Sequence, residues 1–89
     1  MATNIVLIEV LKRPNGKYIT EIRGIPIIYS CKILKNTLRN YFGGIRGKID
    51  IDDDKEYIIL EGDRAQRTKD FIYKVGLVKQ NEIYIRTVT

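Results

Sequence analysis

The dipeptide Asn15-Gly16 is the feature that most restricts how this chain can fold. It separates two apolar-rich runs, 5–11 and 18–23, and an Asn-Gly pair in that position is a strong signal for a hairpin turn because both residue types tolerate a positive φ. The first quarter of the chain is therefore predicted to be a β-hairpin.

The tip of this hairpin carries more charge than a turn needs. Lys12, Arg13 and Lys17 surround the Asn-Gly pair, although backbone geometry alone accounts for the turn. Two interpretations stay open: a solvated loop, or a positively charged element that binds a partner.

After Ser30 the spacing of the apolar residues changes from that of a strand to that of a helix. Ser30 is predicted to cap the first turn, and Gly43-Gly44 to end the helix. The core side is predicted from pairs repeated every four residues, namely Ile33, Leu34, Thr37, Leu38, Tyr41 and Phe42. A common exposed face of the same helix is predicted to hold three cations, Lys32, Lys35 and Arg39.

The second half of the chain begins with two more short strands, 48–51 and 57–61, joined by an acidic turn. The turn consists of Asp52, Asp53 and Asp54, residue types that favour turns because their side chains bond to nearby backbone.

A second helix is predicted to follow Gly62, with Asp63 as N-cap, Gln66 in a capping box and Gly76 as the stop. A final strand covers 83–88. The core side of this helix is predicted to consist of Ala65, Thr68, Phe71, Ile72 and Val75.

The predicted order of elements is ββαββαβ, which implies an α+β fold with two helices packed on one face of a mixed five-stranded sheet. The 89 residues are predicted to form a single domain, 1–89, with a short N-terminal extension at 1–4 and a folded core at 5–88.

Charge is unevenly distributed along the chain, whose net charge is +5. Residues 10–49 hold nine cations and one acid, residues 50–63 hold seven acids and one cation, and residues 64–89 hold six cations and two acids. Such a field attracts a polyanion to one side, and nucleic acid is the commonest partner of that kind.

Histidine is absent and Cys31 is the only cysteine. This composition excludes a Ser-His-Asp triad, a Cys-His pair and an ordinary zinc cluster, so we expect no enzyme and no cofactor. One cysteine is consistent with a reducing, cytoplasmic location. The apolar run 5–8 is too short to span a membrane, and no membrane association is expected.

Two short motifs have alternative interpretations. Asp50, Asp52, Asp54 and Glu61 match the spacing of an EF-hand calcium loop, but Lys55 replaces the glycine of the sharp turn and the flanks are predicted strands. The run 44–47 matches the GxxG clamp of KH domains, but it connects a helix to a strand. A solvated turn and a helix stop are the simpler interpretations.

The second helix opens with Arg64 and Arg67, where the helix dipole disfavours cations. Either the two arginines form a phosphate clamp at the helix N-terminus, or they pair with Asp63 or Glu61 on the surface.

Three segments together resemble the SUI-domain family of translation initiation factor 1. ILEGDRAQRTKDFIYKVGLVKQNEIYI (59–85) is similar to its C-terminal half, RPNGKYITEIRGI to its basic hairpin, and KILKNTLRNYF to its first helix. The chain departs from the family at Arg64, where eukaryotic members commonly have glutamine, and in the order of the turn residues.

The resemblance implies a factor that binds the small ribosomal subunit near the P site, close to mRNA and initiator tRNA, and promotes scanning and start-codon discrimination. It implies a monomer that meets other initiation factors, and an acidic loop, Asp52, Asp53 and Asp54, that repels tRNA. The RNA-contacting residues implied are Lys12, Arg13, Asn15, Gly16, Lys17, Lys32, Lys35, Arg39, Gly62, Asp63, Arg64 and Arg67. The alternatives are a SUI-domain reinitiation or recycling factor, a general RNA-binding factor, or a small protein-interaction domain.

Overall fold

The computed structural model of the protein describes residues 5–88, apart from the side chains of Gln80 and Val88. The predicted N-terminal extension at 1–4 lies outside the described residues. The elements are β1 (Val6–Lys12), β2 (Tyr18–Arg23), α1 (Cys31–Tyr41), β3 (Gly47–Asp52), β4 (Lys55–Glu61), α2 (Ala65–Lys74), a single 3₁₀ turn (Gln80–Glu82) and β5 (Ile83–Val88).

The five strands form one sheet in the spatial order β3-β4-β2-β1-β5. Neighbouring strands are antiparallel except β1 and β5, which are parallel. Both helices pack on one face, α1 over β3 and β4 and α2 over β1 and β5. The predicted α+β fold, with two helices on a mixed five-stranded sheet in the order ββαββαβ, is confirmed.

The hydrophobic core lies between the helices and one face of the sheet, because alternate residues of each strand point to that face. The three inner strands contribute its centre, where Ile8, Ile22 and Ile58 are fully buried. The helices contribute Leu34, Leu38, Ala65 and Ile72. The opposite face carries no helix and holds most of the charged strand residues.

Helix α1 begins as predicted, with Ser30 as N-cap and its Oγ accepting a hydrogen bond of 3.2 Å from the backbone N–H of Ile33. Its predicted core side is too wide. Leu34, Leu38 and Phe42 are buried, whereas Ile33 is 68% exposed and Tyr41 48% exposed. The helix contacts the sheet along one narrow stripe, so only one residue of each apolar pair is covered.

Helix α2 begins at Ala65 with Arg64 in the N-cap position, and the predicted capping box is wrong. The hydroxyl of Thr20 in β2 instead binds the residues just before the helix: it accepts from the N–H of Arg64 at 2.8 Å and donates to the carbonyl of Gly62 at 2.7 Å. The Gln66 amide instead donates to Asp70 within the helix. A hydroxyl from a distant strand therefore fixes the approach to α2, and no side chain of the described residues caps the helix.

The far end of α2 also departs from the prediction, because Val75 is 53% exposed and lies outside the core. No helix within residues 5–88 is long and apolar enough to cross a membrane.

Candidate functional site

A cleft of about 640 Å³ lies on the open face of the sheet, the face without helices, next to the β1–β2 turn. One wall is the turn itself, residues 13–17, and the other is the start of edge strand β3. Between them the floor is apolar and consists of Ile19 from β2 and Ile59 from β4.

Four exposed cations line this cleft, which we call the basic cleft: Arg13, Lys17, Arg46 and Lys48. Among the lining residues that belong to 5–88, Glu61 is the one acid. Within residues 5–88, none of the four cations forms an ion pair with a carboxylate. Their charges are therefore available to an anionic ligand, and four unpaired cations around one cleft hold a positive potential there.

The register of the sheet brings these residues together from three strands. Lys48 pairs with Ile59 across β3 and β4, and Glu61 pairs with Ile19 across β4 and β2. The chain just before β3 continues this ladder, because the N–H of Glu61 donates to the carbonyl of Arg46 at 2.9 Å. Paired residues point to the same face of a sheet, so all of them face the open side.

The turn that forms one wall of the basic cleft is tightly hydrogen-bonded. The N–H of Gly16 donates to the carbonyl of Arg13 at 2.9 Å, and the N–H of Arg13 donates to the carbonyl of Lys17 at 2.7 Å. The Asn15 side chain accepts from the N–H of Lys17 at 2.9 Å. Gly16 has a φ of +83°, as the Asn-Gly signal predicts. These bonds fix the backbone from which Arg13 and Lys17 project.

The same open face becomes acidic at its other end. Asp50 and Asp52 lie farther along β3, and Asp53 and Asp54 form the turn to β4. Lys48 and Asp52 are four residues apart in one strand, about 13 Å. The open face is therefore polarised along β3.

Arg23 neutralises part of this acidic end. It forms ion pairs of 3.1 Å with Glu21 and with Asp52, and its guanidinium carbon lies 3.7 Å from the centre of the Tyr57 ring. Burial disfavours the charged form, but the bond to Glu21 and the surrounding negative charge outweigh it and raise the pKa of Arg23.

The acidic segment offers no calcium loop. Asp50 pairs with Tyr57 near the turn, whereas Glu61 lies at the opposite end of β4, next to the basic cleft. Within the described part of the chain, no three His, Cys, Asp or Glu side chains are grouped so that they could hold a metal ion.

Of the residues predicted at the hairpin, Arg13, Asn15 and Lys17 line the basic cleft, while Lys12 and Gly16 do not. The cations of α1 are on the covered face of the sheet. Lys32 is exposed and Lys35 is half-buried. Arg39 is half-buried as well, and its Nε donates to the carbonyl of Ile45 at 2.8 Å, so the predicted common exposed face is wrong at these last two positions.

The residues predicted around the start of α2 form a separate group. Gly62 and Asp63 lie in the bend before the helix, where Gly62 has a φ of +89°. Arg64 and Arg67 contact the ring of Phe42, with guanidinium carbons 5.4 and 5.2 Å from its centre. Neither arginine forms an ion pair with Asp63 or Glu61 in the described residues. Cation–π contact is a role that neither interpretation of the sequence included.

Arg46, Lys48, Glu61 and the two floor isoleucines were not predicted as site residues. In the sequence they are far from the hairpin turn, and only the placement of β4 between β3 and β2 brings them beside it. The available signal was the strand alternation that puts Lys48 and Ile59 on the same face once β3 and β4 are paired.

A second cavity of about 650 Å³ lies at the other end of the molecule, beside residues 24–29. Ile27 is fully exposed there and Ile28 is 81% exposed. Its charged lining residues, Asp54, Lys55 and Glu56, are of mixed sign. Unlike the basic cleft, this cavity has no convergent set of groups of one chemistry.

Comparisons with known proteins find similarity only to solved structures. No family model and no curated protein matches the sequence. One similar solved structure is the essential ribosomal processing protease Prp from S. aureus, in complex with a covalently linked product peptide, at 12% identity and a TM-score of 0.47, covering 94% of this chain and 100% of that one. Another is a hypothetical protein from Staphylococcus aureus, at 12% identity, a TM-score of 0.46 and the same coverage.

These findings overturn the sequence-based identification. The predicted membership of the SUI-domain family is wrong, because no family model and no curated protein matches the sequence, and the two similar structures named above are a protease and a hypothetical protein. The predicted role in scanning and start-codon discrimination is therefore wrong as well. The resemblance rested on short turn and helix motifs, which many chains of the order ββαββαβ need for local structural reasons.

The prediction that the chain is not an enzyme is contradicted by the same comparison, in which one of the similar structures is a protease, and it is withdrawn. With TM-scores of 0.47 and 0.46, these likenesses carry no activity over to this chain. The individual site residues stay predictions.

Proposed function

We propose that this chain binds nucleic acid through the basic cleft. The observation that carries the proposal is the convergence of Arg13, Lys17, Arg46 and Lys48 on one cleft with no ion pair to any carboxylate in residues 5–88. Most lysines and arginines of residues 5–88 form no ion pair. What distinguishes these four is that they surround one cleft, where a single phosphate chain can contact several of them together.

The surroundings of the basic cleft favour the binding of a polyanion over that of a single small anion. The net charge of +5 attracts a charged chain over long distances, and the acidic turn at the far end of β3 disfavours binding there. A phosphate chain is thus directed to one end of the open face. The hydrogen-bonded β1–β2 turn fixes the backbone positions of Arg13 and Lys17 before the ligand binds, which lowers the backbone part of the entropic cost of binding.

The proposal is tested by fluorescence anisotropy with a labelled oligonucleotide of about twelve nucleotides, a length within the range of single-strand sites. Lys17, Arg46 and Lys48 are replaced together by alanine. The matched control replaces Lys55, Lys74 and Lys79, which are exposed and outside the cleft. Both triple variants lose the same net charge.

We expect the cleft variant to weaken binding about tenfold or more at moderate salt, and the control variant to change it much less. Each phosphate contact contributes about 0.7–0.9 to the magnitude of the slope of log affinity against log salt. The magnitude of this slope should therefore be smaller by about 2–3 for the cleft variant than for the parent. Equal weakening by both triple variants would show a general charge effect and overturn the proposal. Competition by polyglutamate as strong as by unlabelled oligonucleotide would assign the cleft to acidic protein instead.

A further inference from the structure

The basic cleft contains two features that phosphate binding alone does not explain. Its floor is apolar, and its only acid stands among four cations. An apolar floor gains nothing from phosphates, and a carboxylate repels them. The apolar floor and the carboxylate can both contact the ligand favourably if part of the ligand is an unpaired base.

The floor is apolar and recessed: Ile19 is half-buried and Ile59 is 7% exposed, so Ile19 supplies most of the surface that a base could contact. Ile19 and Ile59 are diagonal neighbours on β2 and β4, since Ile19 pairs with Glu61 and Glu21 pairs with Ile59. Diagonal neighbours are close enough to form one continuous apolar surface. A volume of about 640 Å³ is within the range of small-ligand sites, which is about 300–1,000 Å³.

A duplex cannot use this floor, because its bases are stacked inside the helix and its outer surface is phosphate and sugar. Contact between a base face and a protein surface requires an unstacked, single-stranded nucleotide. Arg13 and Lys17 on one wall, and Arg46 and Lys48 on the other, are then placed to contact the phosphates on the two sides of that nucleotide.

Glu61 lies beside the floor, in register with Ile19 and next to Arg46. Its side chain is exposed and forms no ion pair in the described residues. A carboxylate accepts hydrogen bonds only, and the exocyclic N4 amine of cytosine is a base group that donates to it. A thymine or uracil presents a carbonyl oxygen at the same place, which a carboxylate repels.

We infer that the basic cleft seats one unpaired base on Ile19 and Ile59 and selects bases with an amino group through Glu61. The inference rests on the proposed nucleic-acid binding and adds two selectivities to it: single strand over duplex, and cytosine over thymine.

The test compares labelled oligo(dC), oligo(dT), an oligo(dC) with abasic sites throughout, and a duplex of the same length, all at neutral pH. The parent should bind oligo(dC) about five- to twentyfold more tightly than oligo(dT). The abasic strand and the duplex should both bind more weakly than oligo(dC), because neither places a base on the floor.

The variant Glu61→Ala separates recognition from repulsion. Loss of the carboxylate should raise the affinity for oligo(dT) and lower the affinity for oligo(dC), so that the two become similar. Circular dichroism checks that the variant is folded, and Glu56→Ala, an exposed acid of the same strand outside the cleft, is the matched control.

The outcomes distinguish failure of the proposed nucleic-acid binding from failure of the base pocket. Absence of binding to every probe overturns the proposed function itself. Binding of all four probes with one affinity leaves phosphate binding standing and overturns the base pocket. An equal rise in affinity for oligo(dC) and oligo(dT) in Glu61→Ala shows that Glu61 only repels phosphates, and overturns the selection of amino groups.

Discussion

Glu9 and Glu21 lie directly opposite each other on β1 and β2, and each carboxylate is bound by a different arginine. Arg86 from β5 donates two hydrogen bonds, of 3.0 and 2.7 Å, to one oxygen of Glu9. Arg23 pairs with Glu21 on the other side at 3.1 Å. Like charges placed opposite each other destabilise a sheet, so the two arginines compensate an internal repulsion.

Replacement of Arg86 by alanine should expose this repulsion. The Glu9 side chain is only 11% exposed, and without Arg86 it becomes a largely buried charge with no partner. We expect the free energy of unfolding to fall by about 1–2 kcal/mol in urea denaturation at neutral pH. Lys79→Ala, the control, should change it little. Addition of Glu9→Gln should recover much of the loss, and a double variant no more stable than Arg86→Ala would contradict this account.

The contact of Arg67 with the aromatic rings is tested by a double-mutant cycle. Its guanidinium carbon lies 5.6 Å from the centre of the Tyr41 ring, on a helix end where the dipole disfavours a cation. Arg67→Gln and Tyr41→Leu are measured singly and together, because the cycle cancels the dipole effect. We expect a favourable coupling of about 0.5 kcal/mol, typical of an exposed cation–π pair. A coupling of zero would leave the two side chains as unrelated surface residues.

The acidic turn is built in a conformation that its residues do not prefer. Asp53 and Asp54 have φ values of +53° and +62°, and a turn with two positive φ angles favours Asn-Gly. The pair Asp53→Asn and Asp54→Gly should raise the free energy of unfolding by about 0.5–1 kcal/mol. Asparagine at both positions removes the same charge without the glycine. If that control stabilises equally, repulsion between the aspartates is the cause and backbone strain is not.

Cys31 should react slowly with alkylating reagents in the native protein. It is 8% exposed, and burial, together with the negative charge of Glu56, raises the pKa of its thiol above the ordinary value of 9.0. At mildly alkaline pH the native protein should therefore react with iodoacetamide more slowly than the urea-unfolded protein. Equal rates would show that the side chain is accessible.

The same shift makes a contribution to stability that depends on pH. A thiol that holds its proton more tightly when folded stabilises the fold below its unfolded pKa of about 9, and this contribution is lost as pH rises through the higher folded value. Because tyrosines and lysines titrate in the same range, the difference in stability between parent and Cys31→Ala is the quantity to follow. The free energy of unfolding of the parent, relative to that of Cys31→Ala, should fall as pH rises.

The fold was predictable because each element carries its own local signal. The Asn15-Gly16 turn, the Ser30 cap and the strand patterns depend on neighbouring residues, and all three appear as predicted. The start of α2 was not predictable in this way. The N–H of Arg64, its N-cap residue, is bound by the Thr20 hydroxyl, 44 residues away, and no local pattern indicates which distant side chain will reach it.

The candidate site was only half predictable for the same reason. The turn cations are adjacent in sequence, so their charge is visible there. Lys48 and Glu61 join them only because β4 lies between β3 and β2, and the predicted chain order of elements does not determine this spatial order. The function was predicted from the family resemblance instead, and no family model or curated protein that matches the sequence supports that function.

The pairing of β1 with β5 sets a late step for the folding reaction. The bond between Arg86 and Glu9 spans 77 residues, and contacts of such long range form slowly because a large loop must close first. Until residues 83–88 dock, β1 has one open hydrogen-bonding edge, and such an edge pairs readily with other chains. Refolding yield should therefore fall as the protein concentration rises, because closure of the sheet competes with association of molecules in which β5 has not yet docked.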